Sequence, residues 1–256
     1  MGALPPLLNV DLSERPASPF VRHPWEVARK DFFLAVLAPW TRGAAPTRAL
    51  DAGAGDGYLA SELLSLLPSA ARVTCWDAAY TEETLSRLQD RGGQLRFVRS
   101  LPEERYDLIL LLDILEHVQT EHDFLRALVQ RHLSKDGAVL VSVPAWPVLY
   151  GSHDVALRHY RRYRPATIRE LLESEGLRIH QAGGLFHGLL LARALSRAFE
   201  GHRGAPEVKP LQWGGGPLLT RVVSALLRTD TCASAFLSRA GLDAPGLSWW
   251  ALCHPR

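Results

Sequence analysis

Cysteines and long hydrophobic runs are scarce in this chain of 256 residues, and neither sign of charge is in excess. The three cysteines, Cys75, Cys232 and Cys253, are far apart and form no CxxC pair, so they predict reduced thiols in a cytoplasmic protein. No apolar run approaches the ~20 residues that a membrane span needs, and residues 1–6 lack the pattern of a signal peptide. The 29 basic residues nearly balance the 27 acidic ones, which argues against a nucleic-acid partner. No residue is assigned to a metal site.

Strand-like and helix-like segments alternate along the chain. Strands that alternate with helices build right-handed βαβ units, so we predict an α/β fold with a doubly wound, mostly parallel, seven-stranded sheet. The predicted strands are 48–51, 72–76, 95–99, 106–112, 138–143 (after a turn at 135–137), 177–181 and 246–253. The predicted helices are 25–37 (ended by Pro39), 58–67, 81–91, 121–132, 165–175, 189–199, 217–228 and 232–239.

The alternation divides the chain into four segments. Residues 1–44 are predicted to be an arm followed by a lid helix, and residues 45–183 a cofactor-binding α/β core. Residues 184–246 break the rhythm and predict a helical insertion or cap, and residues 247–256 supply the final strand. Residues 185–200 are amphipathic with arginines on one side, which predicts burial on the domain or in a dimer, or peripheral contact with a membrane surface. We expect a monomer or a homodimer.

Three glycines follow the first predicted strand, in the sequence Asp51-Ala-Gly53-Ala-Gly55-Asp-Gly57. This loop of a doubly wound sheet binds nucleotide-like ligands, because glycines let the backbone approach the ligand closely. A dinucleotide fingerprint needs a glycine where Tyr58 stands, and Asp51 would repel a pyrophosphate but suit a cationic ligand. The alternatives are a tight turn without a ligand and a site for NAD(P) in an oxidoreductase.

Asp77 ends the second predicted strand, about 24 residues after the first glycine of the loop. A carboxylate at this place accepts hydrogen bonds from both ribose hydroxyls in nucleotide-binding folds, so we predict that role for Asp77. The alternative is an N-cap for the next helix, which Thr81 fits better.

Four motifs in order resemble the class I S-adenosylmethionine-dependent methyltransferases, in particular a bacterial subgroup similar to methyltransferase types 11 and 12. The resemblance implies S-adenosylmethionine as cofactor and S-adenosylhomocysteine as product. It also implies transfer of a methyl group, by in-line displacement, to an O, N or C atom of a small molecule, such as a natural-product or glycan-linked substrate. A non-catalytic member that binds the cofactor stays an alternative. The motifs are 50–57, Asp77, 106–118 and 133–144, with looser similarity at 23–29 and 153–163.

The resemblance assigns residues to each part of the cofactor. The glycine loop would line the methionine part, Asp77 the ribose, and Asp113 the sulfonium, with Arg29 near the methionine carboxylate. Ser100 and Leu101 stand where the family often has an acid that contacts the adenine. The residues expected around the cofactor are Trp25, Arg29, Asp51, Gly53, Ala54, Gly55, Tyr58, Trp76, Asp77, Ala78, Ser100, Leu101, Asp113 and Ile114.

An oxygen or nitrogen acceptor needs a base, and the candidates lie at the carboxyl ends of the strands. His117, beside Glu116, follows the fourth strand, and its alternative role is packing at a helix end. His153 follows the fifth strand, with Asp154 as its orienting partner or as a substrate contact. The predicted catalytic residues are therefore His117, His153 and Asp154.

The segment 158–164 contains four arginines in seven residues. Such a run is either a solvated face or a clamp for a carboxylate or phosphate of the substrate, since guanidinium groups bind both in bidentate fashion. Tyrosines in and near the segment are expected to wall the acceptor pocket. The predicted substrate residues are Tyr150, His159, Arg161, Arg162 and Tyr163.

Overall fold

The computed structural model describes residues 21–89, 93–200 and 213–256, and the predicted N-terminal arm lies largely outside these ranges. Seven strands form one sheet, which confirms the predicted α/β class. The strands are β1 (Arg48–Ala52), β2 (Arg72–Trp76), β3 (Leu95–Val98), β4 (Tyr106–Leu112), β5 (Leu133–Pro144), β6 (Leu177–Leu185) and β7 (Ser248–Pro255). The helices are α1 (Pro24–Ala44), α2 (Tyr58–Leu63), α3 (Glu82–Gln89), α4 (Glu121–His132), α5 (Ser152–Ala156), α6 (Pro165–Ser174), α7 (His187–Glu200) and α8 (Pro217–Arg239).

The strand order is β3-β2-β1-β4-β5-β7-β6. The pairs from β3 to β5 are parallel, and β7 runs antiparallel to both of its neighbours. The order reverses between β1 and β4, and such a switch point is where an open α/β sheet binds its ligand.

The sheet separates two hydrophobic clusters. Along β4, Leu108 and Leu110 pack on one side, whereas Ile109 and Leu111 pack on the other, and all four are fully buried. The sequence of a strand buried on both faces is an almost unbroken run of apolar residues, and for this reason the bounds of β4 were predicted correctly.

Two predicted helix boundaries are wrong. Pro39 does not end α1, which continues to Ala44, because Leu37 and Thr41 are buried on either side of the proline and hold the helix against the domain. The predicted helices 217–228 and 232–239 form the single helix α8. Asp230, which lies where the break was predicted, accepts hydrogen bonds from the first backbone N–H groups of α7, at 2.8 and 2.7 Å.

Two strands are longer than predicted. β5 includes residues 135–137, which were predicted to be a turn, and it joins β4 through an irregular register. β6 continues to Leu185 through Gly183 and Gly184, which pair with β7. A Cβ on Gly184 would lie 2.2 Å from the Ala244 carbonyl oxygen, so glycine permits this close approach of the loop.

None of the helices in the described ranges is both long and apolar enough to cross a membrane. The arginines of α7 face the domain, where Arg193 donates to the Leu149 carbonyl at 3.1 Å and Arg197 to the Tyr150 carbonyl at 2.9 Å. Leu191 is exposed on the same helix.

Candidate active site

A crevice of about 690 Å³ opens at the carboxyl ends of β1 and β4, where the strand order reverses. Its wall comes from α1, the glycine loop, the turn after β4, α5 and α7. The predicted cofactor residues that line it are Trp25, Arg29, Asp51, Gly53, Ala54, Tyr58, Asp113 and Ile114. Those that lie outside its wall are Gly55, Trp76, Asp77, Ala78, Ser100 and Leu101.

The glycine loop needs glycine at its turns. Gly53, Gly55 and Gly57 have φ angles of 68°, 55° and 73°, in the left-handed region that other residues avoid. A Cβ on Gly57 would also lie 2.8 Å from the ring of Phe97. The loop is held from below, since Gly53 donates its N–H to the Trp76 carbonyl at 2.7 Å. These contacts open a cradle of bare backbone toward the crevice.

Asp51 lies at the floor of this cradle with only 5% of its surface exposed. Its carboxylate makes no hydrogen bond to any residue in the described ranges. Burial raises the pKa of Asp51 to about 7; Arg29 opposes this shift, and Asp77 and Asp56 add to it. A buried acceptor that faces a crevice without a partner suits a ligand with a cationic or N–H group.

The structure buries Asp77, predicted for the ribose, and Trp76, one of the residues predicted beside the adenine. Asp77 is fully buried, and its carboxylate accepts from the N–H of Gly55 at 3.2 Å and of Ala79 at 2.9 Å. Trp76 is buried against Phe124 and donates its indole N–H to a backbone carbonyl. Ser100 is exposed, whereas Ala78 and Leu101 are half-buried. Contacts of these residues with the cofactor stay predictions; in this structure Asp77 supports the loop.

Thr81 caps the helix that follows Asp77. Its hydroxyl accepts from the N–H of Thr84 at 3.1 Å, which agrees with the better fit of Thr81 than Asp77 to an N-cap.

Arg29 ties helix α1 to the sheet. Its guanidinium lies 2.7 Å from the Asp113 carboxylate and 3.2 Å from the Ser142 hydroxyl, which in turn donates to Asp113 at 2.8 Å. Asp113 has a φ of 59°, a strained conformation for a residue other than glycine at the end of β4. Trp25, one turn before Arg29, packs on Phe186 at 5.8 Å. Sequence reasoning missed Ser142, because nothing in an apolar strand marks a single serine as facing a site.

Asp154 is fully buried, and its hydrogen bonds go to residues other than His153, so it does not orient His153 through a hydrogen bond as predicted. Its carboxylate instead accepts from His159 Nδ1 at 3.0 Å, Arg162 Nε at 2.8 Å and the Gly151 N–H at 3.0 Å. Burial alone would raise the pKa of Asp154, but the hydrogen bonds from His159 and Arg162 outweigh it and lower the pKa to about 2. Asp154 therefore acts as a charged anchor beneath the crevice.

His153 lines the crevice, as predicted for a base. Partial loss of solvent around the ring lowers its pKa below the ordinary value for histidine, although part of the residue is exposed and the charge of Asp154 opposes the shift. A neutral imidazole at this place can accept a proton from an acceptor group in the crevice.

Two of the four arginines in the segment 158–164, Arg161 and Arg162, are held by contacts with the protein, whereas Arg158 and Arg164 are exposed. Arg161 pairs with Glu121 and donates to the Gln119 carbonyl at 2.9 Å, so it points away from the crevice. Tyr163 donates its hydroxyl to the Leu115 carbonyl at 3.1 Å, and Tyr150 donates to the His159 carbonyl at 2.7 Å. Of the predicted substrate residues, His159 and Arg162 line the crevice.

Glu116, His117 and His159 meet at the inner end of the crevice. Glu116 is fully buried; burial raises its pKa well above the usual range, and the charge of Asp113 adds to the shift. Burial and the neighbouring His159 lower the pKa of His117 to about 4. The sequence analysis singled out Glu116 and His117 after β4, but nothing in the sequence indicated that His159 lies beside them.

A glycine loop at the switch point of a doubly wound sheet, with a buried carboxylate beside it, defines a site for a nucleotide-like cofactor. A family model described as a methyltransferase domain matches residues 25–182, more than half of the chain. The chain belongs to this family, whose methyl donor is S-adenosylmethionine. Membership confirms the resemblance in the sequence motifs and leaves the NAD(P)-dependent oxidoreductase without support.

Relatives agree with this assignment. A probable S-adenosylmethionine-dependent methyltransferase of Mycolicibacterium smegmatis is 31% identical over 157 residues, 58% of this chain and 58% of that protein. A ubiquinone biosynthesis O-methyltransferase of Rickettsia canadensis is 24% identical over 160 residues, 55% of this chain and 66% of the relative. The chain thus spans less than two thirds of these curated relatives.

A solved structure has a similar fold. The plantazolicin methyltransferase BamL, crystallised with a triazolic desmethylPZN analog and SAH, superposes with a TM-score of 0.55 and 13% identity. The match covers 90% of this chain and 86% of that one, so the likeness in fold extends beyond the segment matched by the family model.

Proposed function

We propose that this chain transfers the methyl group of S-adenosylmethionine to a small-molecule acceptor bound in the crevice. The observation that carries the proposal is the buried carboxylate of Asp51 at the floor of the glycine cradle, which makes no hydrogen bond to any of the described residues. A carboxylate there suits the positive groups of the cofactor's methionine part, and the bare backbone of the loop allows close approach.

The bound cofactor supplies a methyl group already activated by the sulfonium. The protein then has to hold an acceptor in line with it, and such positioning is worth about 7–11 kcal/mol. The crevice does this between the lid helix, which Arg29 ties to Asp113, and α5, which presents His153. His153 accepts the proton when the acceptor is a hydroxyl or amine.

Titration calorimetry tests the cofactor. We expect the protein to bind S-adenosylmethionine and S-adenosylhomocysteine with one site per chain and to give no heat with NADH. The acceptor is then found by incubating the protein with methyl-labelled cofactor and a metabolite extract and identifying the labelled product. If the protein binds neither S-adenosylmethionine nor S-adenosylhomocysteine, the proposal as a whole is wrong.

Replacing His153 by alanine is expected to lower turnover of that acceptor by about 10²–10⁴-fold, with cofactor affinity nearly unchanged. The reason is that His153 lines the acceptor side of the crevice rather than the glycine cradle. His122→Ala is the matched control, because His122 is an exposed histidine on α4 that pairs with Glu175. Equal turnover in both variants would remove His153 as the base.

Peripheral membrane contact through residues 185–200 and the choice between monomer and homodimer also stay predictions. The exposed Leu191 on α7 supports contact with a membrane surface. The hydrogen bonds of Arg193 and Arg197 to the domain instead support burial of the arginine side of this helix.

A further inference from the structure

Glu116 is buried with little to compensate its carboxyl group, because the charges of Arg29 and Arg162 favour its ionised form only in part. Both of its carboxylate oxygens lack a hydrogen-bond partner within the described part of the chain, although the residue is fully inaccessible to solvent. A buried carboxyl group without partners destabilises the fold in either protonation state, more so when it is ionised. A native protein that keeps such a group has a use for it.

Two imidazole rings share this buried space. The rings of His117 and His159 lie 4.6 Å apart between centroids and are nearly perpendicular, at 84°. One ligand atom from each of Glu116, His117 and His159 lies within 4.8 Å of the other two. Ligand atoms about 2.1 Å from one tetrahedral ion lie about 3.4 Å apart, so the longest separation in this set has to shorten by at most about 1.4 Å for the three to bind one ion. His117 Nδ1 is also buried without a partner among the described residues.

The fold holds these side chains together by independent contacts. The backbone N–H of Tyr160 donates to the Glu116 carbonyl at 2.8 Å, which joins the segment after α5 to the turn after β4. Asp154 accepts a hydrogen bond from His159 Nδ1 at 3.0 Å, which leaves Nε2 with a lone pair for another partner. A carboxylate behind a histidine is the arrangement that orients histidine ligands of metal ions.

From this geometry we propose that Glu116, His117 and His159 bind a divalent first-row transition-metal ion. Two imidazole nitrogens and one carboxylate favour ions such as Mn²⁺, Fe²⁺, Co²⁺ or Zn²⁺ over Mg²⁺ and Ca²⁺, which prefer oxygen ligands alone. Three protein ligands leave open positions on the ion, and all three residues line the crevice, so these positions face its interior.

The site goes beyond the proposed function, because binding of an ion requires no cofactor. One consequence does rest on the proposed function: an acceptor hydroxyl that coordinates the ion would have its pKa lowered and would become a better nucleophile. The substrates favoured by such a site carry an oxygen donor that can reach the ion.

The site is tested by calorimetric titration of the metal-free, full-length protein with ZnCl2, CoCl2 or MgCl2 in the absence of cofactor. The visible absorption of bound Co²⁺ is a second readout. We expect one equivalent of Zn²⁺ or Co²⁺ to bind in preference to Mg²⁺. Glu116→Gln is expected to weaken Zn²⁺ binding by more than the about 10–100-fold typical of losing a residue that only supports a ligand. His180→Asn is the matched control, because His180 is an exposed histidine on β6 whose ring packs on another histidine. The affinity of this variant for Zn²⁺ should equal that of the parent.

His117→Ala removes a second ligand and keeps the test open if Glu116→Gln does not fold, which near-ultraviolet circular dichroism reports. Absence of Zn²⁺ and Co²⁺ binding to the parent, or equal affinity in the parent and the folded ligand variants, would overturn the metal site. Cofactor titration of the same samples separates the two proposals. Cofactor binding without metal binding rejects only the metal site, and the reverse rejects only the cofactor.

Discussion

Replacing Asp154 by alanine is expected to lower the free energy of unfolding by about 3–5 kcal/mol. The reason is that Arg162 has only 5% of its side chain exposed and would keep a buried charge after losing the carboxylate it contacts at 2.8 Å. The Gly151 N–H and the ring of His159 would also lose their acceptor. Urea unfolding of the protein without cofactor or metal measures the effect.

Glu173→Ala is the matched control for this measurement. Glu173 pairs with Arg256 at 3.4 Å, but both side chains are more than half exposed, so the loss should be below about 1 kcal/mol. If both variants unfold at the same urea concentration, the buried carboxylate does not anchor the segment after α5. Each pair consists of one arginine and one carboxylate, so the two differ in burial and in the further hydrogen bonds that Asp154 accepts from Gly151 and His159.

Segments whose structure follows from their own residues were predicted well. The unbroken apolar run of β4 and the helical spacing in α4 were predicted with the bounds that the structure has. The turn formed by the three glycines between β1 and α2 was likewise predicted correctly, because glycine adopts positive φ without the steric cost that a Cβ brings.

Contacts between segments far apart in the chain were not predictable. A break at Asp230 was expected from the local sequence, but its carboxylate binds the start of α7, 43 residues earlier, and the helix continues. His153 and Asp154 are adjacent in sequence, yet the helical turn sends their side chains in different directions, and the partner of Asp154 is His159. Arg161 faces Glu121 for a similar reason: the packing of two segments decides the direction of the side chain.

The affinity for S-adenosylmethionine is expected to fall about tenfold between about pH 8 and about pH 6 because of Asp51. Its pKa of about 7 is raised by burial, so the carboxyl group becomes protonated as the pH falls through this value. The cationic cofactor binds the ionised form, and protonation therefore competes with binding. Calorimetry in buffers of different ionisation enthalpy should show proton release from the protein on binding below about pH 7.

Asp51→Asn supplies the control that separates this residue from the cofactor's own amino group, whose titration appears in both proteins. The variant is expected to bind more weakly at about pH 8 and to lose the part of the pH dependence that Asp51 causes. It should also be more stable than the parent at that pH without cofactor. The sign follows because a carboxyl group whose pKa is raised on folding destabilises the folded state once the pH exceeds the unfolded pKa. If the affinity of the variant depends on pH as that of the parent does, Asp51 does not face the cofactor. If the variant binds the cofactor more weakly but has a higher free energy of unfolding, the fold keeps an unfavourable buried charge because the charge binds the ligand.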